Sequence, residues 1–153
     1  MRETITVPVE RLDPRATLPT YAHTDDAGAD VSALEQTVLA PHSTAAVRTG
    51  LRFAIPRGYE LQVRPRSGLS LNTKLRIANS PGTIDCGYAD EVKILVHNMG
   101  DEPFTIVPGL RLCQLVLQAV PQAQFAEVAD VAPYLPADRQ GGFGSTGNTG
   151  KVT

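Results

Sequence analysis

No stretch of this chain free of both glycine and proline runs longer than twelve residues. Helices in globular proteins average about 11–12 residues and tolerate neither residue well in their interiors. Breaks at this density leave room for short strands and little else. Thirteen glycines and twelve prolines in 153 residues thus predict an all-β domain, long enough to bury its own core.

Between the breaks the apolar residues alternate, as strands with one buried face require. Thr4–Val9 puts Ile5, Val7 and Val9 on one side. Val47–Ile55 carries Val47, Leu51, Phe53 and Ile55 against Arg48 and Arg52, and Pro56-Arg57-Gly58 then turns the chain. Tyr59, Leu61 and Val63 alternate with Glu60, Gln62 and Arg64, predicting the returning strand of a hairpin. Strands follow at Glu91–Asn98 and Phe104–Val107, with residues 99–102 as the turn between them. The run PGLRLCQLVL, residues 108–117, predicts a strand buried on both faces. Arg111 and Gln114 interrupt it and must find partners or face a ligand. For Arg111 a satisfied internal hydrogen bond is expected. A last strand is expected over Gln124–Val128.

A formal charge of −2 argues against a nonspecific nucleic-acid binder. Residues 1–10 contain neither the apolar core of a signal peptide nor a membrane-spanning run. Cys86 and Cys113 have neither disulfide-framework nor zinc spacing, so they read as packing residues in a reduced, cytoplasmic protein.

Five segments carry residues with chemistry. In HTDDAGADV, residues 23–31, small residues surround Asp30; alone, this is a surface turn. In RPRSGLS, residues 64–70, Arg66, Ser67 and Gly68 offer a guanidinium fork, a hydroxyl and an unobstructed amide. A polyphosphate needs those groups, and a short helix over Leu69–Leu75 would add its N-terminal amides. A solvated strand end fits the same residues. PGTIDCGYADEV, residues 81–92, is a loop or hairpin holding Asp85 and Tyr88, with Asn79 six residues before Asp85. Gln114 stands in the fourth segment. The fifth is DRQGGFGSTGNTGKVT at the C-terminus, too glycine-rich to pack unaided. It reads as a frayed tail, except that Phe143 suits solvent poorly.

In order and spacing these five segments resemble the signature motifs of the trimeric dUTP pyrophosphatases (dUTPases), from Ala27 to Gly147. The resemblance implies a dUTPase-like β-barrel or jelly roll over residues 1–136 and a mobile glycine-rich arm over 137–153. It also implies a homotrimer whose active sites are shared between subunits. In that family Asp85 would activate water, and Tyr88 would lie beneath the deoxyribose and exclude a 2′-hydroxyl. Asn79 would help read the uracil edge. Arg66, Ser67, Gly68 and Gln114 would hold the phosphates, and Asp30 would hold Mg²⁺ through water. On the arm, Phe143 would stack on uracil, Gly144, Ser145 and Thr146 would donate to the phosphates, and Arg139 would approach the γ-phosphate. Two departures stand out. Asp90 occupies a position usually glycine, and Arg139 lies one residue nearer Phe143 than is common.

The implied reaction is hydrolysis of dUTP to dUMP and pyrophosphate with Mg²⁺. It would limit uracil incorporation into DNA and supply dUMP for thymidylate synthesis. A dCTP deaminase of the same fold and a noncatalytic nucleotide-sensing trimer are the alternatives. The TIDCGY segment and Phe143 disfavour the first, and Asp85 disfavours the second.

Overall fold

Strands of three to nine residues carry the chain from Val9 to Ala119 in a computed structural model that describes residues 4–136. They are β1 (Val9–Arg11), β2 (Ala29–Ser32), β3 (Thr37–Leu39), β4 (Thr44–Arg48), β5 (Leu51–Phe53), β6 (Tyr59–Pro65), β7 (Leu75–Ile77), β8 (Gly82–Ile84), β9 (Lys93–Asn98), β10 (Phe104–Ile106) and β11 (Arg111–Ala119). One short helix, α1 (Ser67–Asn72), follows β6. The pairings are antiparallel throughout, in a four-stranded sheet β2-β11-β6-β8, a three-stranded sheet β4-β9-β7, and the pairs β1-β5 and β3-β10. The result is the all-β domain that the punctuation predicted, in the jelly roll that the motif resemblance implied.

Alternation decides which side chains meet. On β6, Leu61 and Val63 are buried while Glu60, Gln62 and Arg64 are half-exposed on the other face. Leu51, Leu75, Val47, Val96, Ile106 and Leu112 lie at the centre of the core. Each contributes about 1.5–3 kcal/mol relative to leaving it exposed. Asn98 is equally buried, and its amide is fully used. Nδ2 donates to the carbonyls of Leu39, Ala40 and Glu102, and Oδ1 accepts from the Gly100 amide.

Several sequence expectations need correction. Val47–Ile55 is two strands, because the backbone breaks at Thr49-Gly50. Gly50 has φ +69°, and a Cβ there would come within 2.9 Å of the Ala16 Cβ. Thr49 turns inward, donating from Oγ1 to the Val92 carbonyl at 2.5 Å and accepting from the Leu51 amide at 3.2 Å. The break moves the chain from one sheet to another, since β4 pairs with β9 and β5 with β1. The Pro56–Gly58 turn forms, but no hairpin: β6 lies between β11 and β8. The first strand starts only at Val9, after Pro8, which lacks an N–H for a ladder. The strand expected from Glu91 begins at Lys93, and α1 begins two residues earlier than expected.

The chain divides after Pro121. From Gln122 to Pro136 the second unit holds a 3₁₀ turn, Ala132–Tyr134, whose Ala132 amide donates to Asp130 Oδ1 at 2.9 Å. The strand expected over Gln124–Val128 is not formed; Phe125 is 95% exposed and no ladder partner exists among the described residues.

Candidate active site

Asp30 is the centre of one group. Its neighbours Ala29 and Val31 face the core, so alternation turns Asp30 to the opposite side of β2. The register sets Gln114 opposite Asp30 and Arg64 opposite Gln114, making a polar row across three strands. Arg66, just past β6, donates from Nε to Asp30 Oδ1 at 2.7 Å, while Arg111 Nη1 lies 3.2 Å from Oδ2. Two guanidinium groups share one carboxylate, so the cluster keeps a positive charge and spare N–H donors. Arg111 thus has the satisfied hydrogen bond expected of it, made at the surface and not in the core: its side chain is 57% exposed and ion-paired.

Gln114 is held just as closely. Nε2 donates to the Pro65 carbonyl at 3.0 Å, and a Cβ on Gly28 would lie 2.4 Å from Oε1. Gly28, Asp30, Arg66, Ser67, Gly68 and Gln114 line one hollow of about 230 Å³, with His23 and Asp26 at its rim. Ser67 and Gly68 are exposed, and nothing stands within 4 Å of a Cβ built on Gly68. Close approach by an anion is unobstructed there.

A second cleft, of about 330 Å³, lies between β8 and β9. Ile84, Val92 and Ile94 give it apolar walls, and Asn79 and Thr83 give it a polar edge. Gly82 is packed closely, since a Cβ there would meet Asn79 Nδ2 at 3.2 Å. Tyr88 closes one side. Its amide donates to the Asp85 carbonyl and its hydroxyl to the Glu91 carbonyl, each at 3.1 Å. Glu91 in turn accepts from the Gly50 amide at 2.8 Å and from Arg48 Nε at 3.1 Å. Asp85 follows β8 directly, is exposed, and accepts no side-chain hydrogen bond among the described residues. Asp90 needs no left-handed backbone, because His42 is the non-glycine residue with positive φ among those described.

The structure thus gathers Asp30, Arg66, Ser67, Gly68 and Gln114 in one place and Asn79, Tyr88 and the adjoining Asp85 in another. The two linings share no residue. Arg139, Phe143, Gly144, Ser145 and Thr146 lie outside the described residues. Sequence reasoning missed the roles of Arg111 and Glu91. Arg111 was conspicuous as a charge in an apolar run, but its partner is 81 residues away.

A hollow offering a guanidinium, a hydroxyl and an open backbone amide, together with a separate cleft suited to a flat ring with one polar edge, defines a nucleotide-binding jelly roll. The dUTPase family model matches residues 14–147, and the chain belongs to the dUTPase family. Deoxyuridine 5'-triphosphate nucleotidohydrolases of Zymomonas mobilis and Thermobifida fusca are 47% and 46% identical to it. The alignments cover 94% of this chain in both cases, and 98% and 80% of the relatives. The fold is similar to a Staphylococcus bacteriophage 80alpha dUTPase solved with dUPNHPP (TM-score 0.85, 28% identity, 95% of this chain and all of that one). It is also similar to a mutant dUTPase from phage phi11 of S. aureus, described with a structural Mg(II) ion (TM-score 0.76, 28% identity, 82% and 98% covered).

Proposed function

We propose that this chain hydrolyses dUTP to dUMP and pyrophosphate, withholding dUTP from DNA synthesis and supplying dUMP. The observation that carries the proposal is the Asp85 carboxylate beside the Tyr88 cleft, exposed and without a partner among the described residues. Binding alone needs no such group, whereas general-base catalysis needs a carboxylate free to take a proton. Asp85 deprotonates a water as its oxygen attacks the α-phosphorus; the bond from that phosphorus to the bridging oxygen breaks, and pyrophosphate leaves. Arg66, Ser67, Gly68 and Gln114 hold the phosphates in line. Asn79 meets the uracil edge. Tyr88 packs against the deoxyribose, where a ribose hydroxyl would collide with the ring.

The residues fit Mg²⁺ in one manner only. No group of three or more His, Cys, Asp or Glu side chains among the described residues could cage a metal. Both Asp30 oxygens are held by guanidinium groups, yet each keeps a further acceptor direction. Asp30 therefore suits a water of an ion chelated mainly by the triphosphate. Such an ion, when bound, neutralises the phosphate oxygens.

The separation of the two linings supports a site completed by another copy, as in the homotrimer expected from the motifs. We assign residues 1–136 to the barrel and 137–153 to an arm that covers bound nucleotide. Phe143 stacks on the base, Gly144, Ser145 and Thr146 donate to the phosphates, and Arg139 reaches toward the γ-phosphate.

The test is pyrophosphate release with Mg²⁺ from dUTP, UTP, dTTP and dCTP, for the wild type and Asp85→Asn. Release from dUTP alone, lost in the variant, is expected. Ammonia from dCTP, or tight dUTP binding without release, would overturn the proposal.

A further inference from the structure

The loop 85–90 carries both the proposed base and the sugar-facing ring, yet all six of its residues are exposed. Tyr88 also borders a groove of about 480 Å³, bounded by Glu10, Arg52, Phe53 and the loop itself. Tyr88 lines both spaces. Its side chain borders two open spaces and the residue is 43% exposed, so packing alone does not fix the ring, and the backbone that carries it must.

That backbone has few holds. The Tyr88 amide and hydroxyl bond to Asp85 and Glu91, which belong to the same short segment. Among the described residues, one hydrogen bond reaches residues 85–90 from elsewhere in the chain: Arg52 Nη1 to the Ala89 carbonyl, at 3.4 Å. Arg52 is itself aimed. It pairs across the β1-β5 ladder with Glu10, and its Nε and Nη2 both donate to Glu10 Oε2. Two arms of the guanidinium fork are fixed on the carboxylate, and the third points at the loop.

We infer that Arg52, oriented by Glu10, is a positioning residue that holds the Asp85–Asp90 loop, and with it Tyr88, in register with the sugar. This rests on the dUTP hydrolysis proposed above. An exposed ion pair of this kind adds little to global stability, so its loss should loosen the loop without unfolding the barrel. The fork is essential. A lysine could pair with Glu10, but a single ammonium cannot span the carboxylate and the Ala89 carbonyl together.

The experiment compares wild type, Arg52→Leu, Arg52→Lys and Glu10→Gln as assembled proteins. Two quantities are read: amide exchange across residues 85–92 against exchange in β11, and the ratio of kcat/KM for dUTP to that for UTP. Arg52→Leu should speed exchange in 85–92 about tenfold while β11 stays protected. It should also lower the dUTP-to-UTP ratio about tenfold. Arg52→Lys should resemble it, with Glu10→Gln between. Unchanged exchange and ratio in Arg52→Leu would overturn the inference, as would acceleration shared by β11 or full recovery by lysine. Should the wild type fail to release pyrophosphate from dUTP, the functional proposal alone falls. The exchange comparison, which needs no substrate, would still decide the role of Arg52.

Discussion

Gln114 leans so far over Gly28 that a single added methyl at position 28 would stand 2.4 Å from its Oε1 and 2.9 Å from its Cβ. The contact is with an amide whose Nε2 donates to the Pro65 carbonyl, so it cannot retreat freely. Gly28→Ala should therefore turn the Gln114 amide out of the hollow proposed to hold the phosphates. We expect kcat/KM for dUTP to fall about 10–100-fold, with the far-ultraviolet circular dichroism unchanged. Gln114→Ala in the same background should add little further loss, since both changes remove one group.

Asp30 holds Arg66 at 2.7 Å and Arg111 at 3.2 Å. Asp30→Asn keeps the shape and removes the charge that aims both guanidinium groups. Binding of a non-hydrolysable dUTP analogue should weaken about tenfold or more, measured by calorimetry. Arg111→Leu should cost less than Arg66→Leu, because only Arg66 lines the hollow.

Asn98 ties the end of β9 to Leu39, Ala40, Gly100 and Glu102 from a fully buried position. Asn98→Ala removes the partner of all four backbone groups and leaves the Leu39 carbonyl away from water. The expected loss is about 2–3 kcal/mol of stability, read from urea denaturation.

The two cysteines should behave oppositely. Cys86 is exposed and Cys113 buried, and burial pushes the Cys113 thiol from 9.0 up to about 12. Iodoacetamide at pH 8 should add one group to the native protein and two to the unfolded one, by mass. A thiol whose value is raised on folding favours the native state below its ordinary value, and that advantage drains away as pH climbs from about 9 toward 12. Stability should fall over that window, and less steeply in Cys113→Ala.

Much of this molecule was legible from local pattern. Alternation exposed β6, a continuous apolar run exposed β11, and the residue types at 66–68 and 85–88 suggested their chemistry before any geometry was known. What stayed hidden was long-range. Thr49-Gly50 looks like strand interior until Ala16 and Leu34 are packed against Gly50, and no local signal announces that contact. Arg111 could be flagged as needing a partner, but the choice of Asp30 depends on β11 meeting β2 across 81 residues. Arg52 and Glu10 gave no signal alone, since each is an ordinary charge on a strand.

The separation of the Arg66 hollow from the Tyr88 cleft has a consequence for inheritance. On the proposed sharing of each site between copies, two alleles that are each silent need not remain so together. A chain lacking the Asp85 carboxylate and another lacking the Arg66 guanidinium are damaged on opposite halves of the site. Co-expressed, some mixed assemblies would bring an intact half from each parent into one centre, and activity would return from two null genes. Variants damaged within the same half would stay null in every combination.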